Sequence, residues 1–291
     1  MLTLAEGEER LIEVTPHAAG FGAEIRGVDL SKPLPAPVMA QVRQAWIDHQ
    51  VAYFPDQPLT LEELEAFTLA MGGFGHDPFV APMPGHANIL ELRREPDEKA
   101  TNFGAGWHSD WSFQAAPPAA TILHAKVVPP VGGDTLYTDA YRAYDTLSET
   151  MKTMLAPLNA VHSASRAYGP TGSFAKETEK RTMQIIVSPD ADRTTLHPVI
   201  TTHPESGRKA LFVNPVYTQA IDGLTADESA ALLGFLLKHV TQEAFVYRHH
   251  WAPNMLTMWD NRCTAHMALG GYDGHLRLMH RTTVAGTAPA R

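Results

Sequence analysis

Trp107-His108-Ser109-Asp110-Trp111 reads as extended chain with a histidine and an aspartate two residues apart. Side chains alternate along extended backbone with a period of two, so His108 and Asp110 point to one side and can share a metal ion. An imidazole and a carboxylate suit a divalent first-row metal, and one further histidine would complete the two-histidine, one-carboxylate triad that holds non-haem Fe(II). A second H-x-acid pattern, His203-Pro204-Glu205, lies in Thr202-His203-Pro204-Glu205-Ser206-Gly207-Arg208. That stretch has the composition of a turn, and the pattern is read as structural.

Upstream of the H-x-D pair, residues 95–106 are polar and glycine-containing, and residues 72–85 are rich in glycine and proline. The whole segment 72–106 is expected to act as a mobile lid over a metal site. Earlier still, residues 11–30 suggest a hairpin, 37–49 a helix and Val51-Ala52-Tyr53-Phe54 a buried strand. Thr60 and Glu63 form a capping box for a helix whose apolar stripe is Leu61, Leu64, Phe67 and Met71.

Downstream, residues 120–128 form a long strand, and Gly132-Gly133-Asp134-Thr135 a turn feeding the strand Leu136-Tyr137-Thr138. A helix over 141–155, a strand over 160–163 and an irregular insertion over 169–193 follow. The runs 196–202 and 209–213 read as one hairpin, and 245–251 with 255–259 as another about Pro253-Asn254. Between them Thr225 and Glu228 cap a helix carrying Leu232, Leu233, Leu236, Leu237 and Val240. Many short strands with a few helices predict a mainly β fold with inserted helices, a sandwich or jelly roll. No linker divides the chain, so residues 1–291 are expected to form a single domain.

The 291 residues are 44% hydrophobic, enough for a substantial core, and the net charge is −9. That balance argues against a nucleic-acid or anionic-membrane binder. Cys263 is the lone cysteine, which rules out an intrachain disulfide framework and fits a reducing cytoplasm. The acidic start, residues 1–10, lacks a long apolar run and predicts neither signal peptide nor membrane anchor.

The stretch Trp259-Asp260-Asn261-Arg262-Cys263-Thr264-Ala265-His266 offers the missing ligand, His266, after a strand and a turn-forming Asp-Asn pair. Arg277 and Arg281 follow on an alternating strand, 275–281. Period two puts them on one face, about 13 Å apart at about 3.3 Å per residue. Two guanidiniums on one face of a core strand are costly unless each has an anion. A ligand carboxylate suits the guanidinium fork; the alternative is a pair of buried Arg–Asp/Glu salt bridges. Thr135 could add a hydroxyl to one such anion.

Taken together, His108 and Asp110, Gly132-Gly133-Asp134-Thr135, the 259–266 segment, and Arg277 with Arg281 resemble the Fe(II)/α-ketoglutarate-dependent taurine dioxygenase family, which includes the aryloxyalkanoate dioxygenases. The likeness runs from Gly27-Val28-Asp29-Leu30 to the last strand. It implies a double-stranded β-helix (jelly roll, cupin-like) and Fe(II), α-ketoglutarate and dioxygen as cofactor and co-substrates. It further implies that His108, Asp110 and His266 bind iron, that Thr135 and Arg277 hold the distal carboxylate of α-ketoglutarate, and that Arg281 faces an acidic group of the primary substrate. The implied reaction is hydroxylation coupled to decarboxylation of α-ketoglutarate to succinate. Asp110 matters here, because related halogenases lack this carboxylate.

The chain departs from the taurine-specific pattern where those members carry a histidine and a tyrosine: an approximate alignment puts Asp77 and Val80 there. It departs again at Gly104, where they carry an asparagine. Phe79, Trp111, Phe113, Tyr168 and Tyr217 could line an apolar pocket or simply pack in a core. The expected substrate is therefore bulkier than taurine, an aryloxyalkanoate-like carboxylate or an alkyl sulfonate. Rival readings are taurine dioxygenase proper, a zinc-dependent hydrolase using the same three ligands, and a non-catalytic jelly-roll binding protein. The hydrolase has no use for Thr135 and Arg277 as a carboxylate clamp. The oligomeric state is not legible in these residues; members of such families commonly self-associate, which leaves a homo-oligomer open.

Overall fold

A computed structural model describes residues 11–291; the acidic start read above lies outside the described residues. The strands are β1 (Glu13–Pro16), β2 (Ala23–Arg26), β3 (Val51–Phe54), β4 (Leu90–Arg94), β5 (Ala120–Val127), β6 (Thr135–Asp139), β7 (Asn159–Ser163), β8 (Thr194–Pro198), β9 (Ile200–Thr202), β10 (Lys209–Leu211), β11 (Thr218–Ile221), β12 (Val246–His249), β13 (Leu256–Asp260), β14 (Thr264–Ala268) and β15 (Arg277–Val284). The helices are α1 (Ala36–His49), α2 (Leu61–Gly72), α3 (Ala140–Asp145), α4 (Glu149–Leu155), α5 (Ser165–Tyr168) and α6 (Ala226–Val240).

Seven strands form one sheet in the order β1-β2-β3-β13-β5-β15-β4, in which only the β2–β3 pair is parallel. Smaller sheets have the orders β12-β6-β14, β11-β7-β8 and β10-β9. The large sheet covers one face with α1 and α2, where Trp46, Leu64, Phe67 and Met71 pack on Phe54, Ile122 and Met258. Full burial of each such side chain contributes about 1.5–3 kcal/mol. Its other face meets the β12-β6-β14 sheet through Leu123, Met279, Trp259, Tyr137, Tyr247 and Trp251. A further core joins α6 and α4 to the small sheets through Leu233, Leu236, Leu155, Val199 and Leu211.

Both capping boxes form: Thr60 and Thr225 accept from Glu63 N and Glu228 N, and each glutamate accepts from its cap residue's N–H. The helix expected over 141–155 is broken into α3 and α4, because Ser148 caps a new start by accepting from Met151 N. The strand expected over 196–202 likewise splits into β8 and β9, which join different sheets. The hairpin expected about Pro253-Asn254 does not form. β12 pairs with β6, whereas β13 pairs with β3 and β5, so this connection crosses between sheets. Asn254 makes the turn at φ 60. No helix among the described residues is long and apolar enough to cross a membrane.

Candidate active site

The facing sheets bring the H-x-D stretch to β14. His266 follows β13 and the Asp-Asn turn, as expected, and lies inside β14, opposite Tyr137 of β6. His108 pairs with it from the other side: its N–H donates to His266 O at 3.0 Å, and His266 N donates to His108 O at 2.7 Å. This two-bond bridge leaves the imidazole centroids 4.2 Å apart. At Asp110 the extended chain ends, and Trp111 turns it with φ 50, a conformation uncommon for a non-glycine residue and often found at functional sites.

One ligand atom from each of His108, Asp110 and His266 lies within 4.8 Å of the others. His108 Nε2 is 3.5 Å from Asp110 Oδ1, and His266 Nε2 is 3.8 Å from Asp110 Oδ2. The Gly106 carbonyl sits 2.7 Å from His108 Nδ1. A carbonyl only accepts, so Nδ1 carries the proton and Nε2 offers its lone pair to the cavity.

Asp110 is held in turn by a chain of bonds. Its carboxylate accepts from Thr121 Oγ1 at 2.6 Å, Asn261 Nδ2 donates to Thr121 Oγ1 at 2.9 Å, and Asn261 Oδ1 accepts from Asp110 N and Trp259 Nε1. Burial alone would raise the Asp110 carboxyl, but Arg281 and the two imidazoles outweigh it and hold it below the usual carboxylate range. Burial, helped by the neighbouring His108, pushes His266 down to about 3. Both groups are thus poised as ligands, an anion and a neutral imidazole.

Arg277 and Arg281 are both buried on β15, yet their surroundings differ. Arg281 Nη2 lies 3.2 Å from Asp110 Oδ1 and 3.3 Å from Asp77 Oδ1, and its guanidinium stands over the Trp111 ring at 5.2 Å. Burial would lower its pKa; Asp110 and Asp77 raise it on balance. Neither Arg281 Nε nor Nη2 makes a hydrogen bond, because these close contacts are poorly aligned. Arg277 has no carboxylate within salt-bridge distance among the described residues: one long bond reaches Gly133 O at 3.4 Å, and Nε has no partner. Burial pulls its pKa down, and Asp134, already bound to Arg248 and His250, does least to restore it.

Thr135 stands beside Arg277 in the same cavity, with the triad, Leu123, Trp259 and Arg281. Trp251 Nε1 donates to Thr135 Oγ1 at 3.0 Å, which leaves the hydroxyl proton free for another acceptor. The preceding turn needs its glycine: a Cβ on Gly132 would fall 2.5 Å from Gly271 O. An unpaired buried cation beside a proton-donating threonine and a two-imidazole, one-carboxylate set is the donor pattern that a metal and a dicarboxylate require.

The aromatic residues divide. Phe79 and Trp111 are fully buried, with Phe79 stacked on Tyr168 at 5.0 Å and close to Phe113. Tyr168 and Tyr217 line a second cavity of about 290 Å³ that shares His108 with the first and includes Phe103, Phe174 and Val216. Asp77 accepts from Trp111 Nε1 at 2.6 Å and Thr283 Oγ1 at 2.9 Å as well as meeting Arg281.

Sequence reading missed the residues that roof these cavities. Asn102 Nδ2 donates to Ala268 O at 3.1 Å, and Tyr272 Oη donates to Asn102 Oδ1 at 2.5 Å. Arg181 joins Glu177 to the Thr101 carbonyl, and Thr182 N donates to Glu98 Oε2. Isolated polar residues in irregular segments carry no periodicity that would single them out.

A second buried cluster, His203, Asp260 and Cys263, is already satisfied. His203 Nδ1 accepts from Glu205 N and Ser206 N, Nε2 meets Asp260 Oδ2 at 3.0 Å, and Asp260 also binds Arg262. Burial and Asp260 push the Cys263 thiol up, away from the thiolate a metal needs.

The family described as "Taurine catabolism dioxygenase TauD, TfdA family" matches residues 13–283. An α-ketoglutarate-dependent sulfate ester dioxygenase from Pseudomonas putida is 33% identical over 282 residues, 96% of this chain and 91% of that protein. An (S)-phenoxypropionate/α-ketoglutarate dioxygenase from Sphingobium herbicidovorans is 32% identical, covering 94% of this chain and 95% of that one. The crystal structure of a taurine dioxygenase from Burkholderia xenovorans superposes with a TM-score of 0.80 at 31% identity, covering 96% of this chain and 93% of that one.

Proposed function

The chain belongs to the TauD, TfdA family and is an α-ketoglutarate-dependent dioxygenase, and from that premise we propose that it hydroxylates a small organic substrate bearing an acidic group. The observation that carries the reading is Arg277, a buried guanidinium without a carboxylate partner among the described residues, set in one cavity with Thr135 and the His108–Asp110–His266 triad. In this reading His108, Asp110 and His266 hold Fe(II), and Arg277 with Thr135 holds the distal carboxylate of α-ketoglutarate. When bound, the metal would activate dioxygen, and α-ketoglutarate, in going to succinate, would give two of the four electrons that reduce it, the other two coming from the substrate C–H bond.

The protein's own part is placement. Gly106 fixes the His108 tautomer, Thr121 and Asn261 orient Asp110, and Arg281 faces the polar end of the substrate so that one carbon stands at the metal side. Tyr168 and Tyr217 line the space for the rest of the substrate, with Phe79 and Trp111 packed behind and Asp77 beside Arg281. The family match and the facing sheets support a double-stranded β-helix forming one domain.

The parts of segment 72–106 outside β4 act together with segment 169–193 as the lid. Ala81 N donates to Gln184 O, Ile186 N to Phe79 O and Thr182 N to Glu98 Oε2. The lone buried Cys263 is in keeping with a reducing cytoplasm.

The test is succinate formation by anaerobically prepared protein given Fe(II), ascorbate, α-ketoglutarate and then oxygen. The panel is taurine, alkyl sulfonates, sulfate esters and aryloxyalkanoates. Succinate stimulated by one of these classes, and abolished in His108→Ala, is the expected result. Zinc-supported hydrolysis of a sulfate ester with no succinate would overturn it.

A further inference from the structure

Five guanidiniums line the cavity that holds the triad: Arg93, Arg94, Arg181, Arg277 and Arg281. Four are already matched by protein carboxylates: Arg93 by Glu95 at 2.5 Å, Arg94 by Asp273 at 2.9 Å, Arg181 by Glu177 at 2.7 Å, and Arg281 by Asp77 at 3.3 Å. Arg277 is the exception among the described residues, and its place beside Thr135 commits it to the co-substrate. No uncompensated cation is left for the primary substrate.

The Asp77–Arg281 contact is built rather than incidental. Asp77 comes from the loop after α2, yet its two oxygens are fixed by Trp111 Nε1 and Thr283 Oγ1, and its side chain is only 10% exposed. Asp110, the other carboxylate near Arg281, is a candidate metal ligand, and a cation there would claim its charge. Asp77 would remain as the counter-ion of Arg281. The Arg281 side chain lines the same cavity as the triad, and its Nε and Nη2 make no hydrogen bond within the protein.

Resting on the proposed role of Arg281, we infer that Asp77 is a specificity-determining residue: it cancels the charge of Arg281, so that the substrate's polar end is recognised by hydrogen bonds rather than by charge. A buried guanidinium with unbonded N–H groups and a neighbouring carboxylate can donate to any oxygen with a free lone pair, and an incoming anion must also approach Asp77. The consequence is a substrate class wider than acids. Neutral esters, amides or lactones of the same shape compete with the acid, their apolar bodies lying in the cavity of Phe103, Tyr168, Phe174 and Tyr217.

The experiment compares phenoxyacetate with phenoxyacetamide, an acid and a neutral isostere. Each is titrated calorimetrically, without oxygen, into protein loaded with Fe(II) and α-ketoglutarate. Wild type is expected to bind the two within about tenfold of each other. Asp77→Asn, which keeps the size and an acceptor for Trp111, should shift the ratio towards the acid by about tenfold or more, and Asp77→Ser should do the same.

A purely structural role for Asp77 would weaken both probes together and leave the ratio unmoved, which overturns the inference. A wild-type preference for the acid beyond a hundredfold also overturns it. If wild type binds neither probe, the inference stands only if the Asn variant brings the acid, and not the amide, into range. The ratio needs no turnover, so absence of succinate across the wider panel would count against the proposed function and not against Asp77.

Discussion

Replacing Arg277 by methionine should move two properties in opposite directions. Among the described residues the guanidinium meets no carboxylate; it is buried, with one long bond to Gly133 O and the Tyr272 ring at 5.8 Å. Removing an unpaired buried charge while keeping its volume should be neutral or stabilising, by about 1–4 kcal/mol. With α-ketoglutarate bound, the same change deletes two charge-assisted hydrogen bonds of about 1.5–3 kcal/mol each. At about 1.4 kcal/mol per decade, affinity for α-ketoglutarate should fall by roughly two to four orders of magnitude. Denaturant unfolding of the metal-free variant gives the first quantity, and anaerobic titration of the Fe(II) protein with α-ketoglutarate gives the second. A strongly destabilised variant whose α-ketoglutarate affinity changes less than about tenfold would refute the reasoning, because Arg277 would then be a structural residue.

Asn261→Ala removes the group that supports both Asp110 N and Thr121, and metal affinity should drop about 10–100-fold by Mn(II) titration; unchanged affinity would show that Asp110 needs no such support. Burial lowers His124 to about 4 and His162 and His249 to about 3, so these imidazoles stay neutral in the fold while an unfolded chain protonates them near 6.5. The unfolded state then binds more protons from about pH 6.5 down to about 4 for His124 and about 3 for His162 and His249, and stability should fall as pH drops through each window, by about 1.4 kcal/mol per unit for each histidine. Unfolding free energies that stay flat from pH 6.5 to 4.5 would contradict it. Asn102→Ala cuts the ties to Ala268 and Tyr272, and amide exchange over 98–106 should quicken about tenfold; unaltered exchange would mean that the roof is held elsewhere.

Much of this molecule was legible because its signals are local. Thr60 with Glu63 and Thr225 with Glu228 fix helix starts within four residues, and period two on 275–281 put Arg277 and Arg281 on one buried face. All three triad residues were legible, His108 and Asp110 by spacing and His266 after the Asp-Asn turn, but the backbone bridge that joins His108 to His266 across the fold was not. What escaped depends on distant partners. Residues 245–259 carry two strand patterns around a turn, yet β12 finds β6 and β13 finds β3 and β5, a choice made by packing between sheets. Ser148 was read as one more helical position and is a cap. The contact of Arg281 with Asp77 joins the last strand to the loop after α2, so no local pattern announces it.

The most direct measurement is the visible absorption of Fe(II) and α-ketoglutarate bound together without oxygen. A metal-to-ligand charge-transfer band should form at one Fe(II) and one α-ketoglutarate per chain and be absent from His108→Ala and His266→Ala. A band of equal strength in those variants, or none in the wild type at saturating metal and α-ketoglutarate, would contradict the assignment of this cavity as the centre of the dioxygenase.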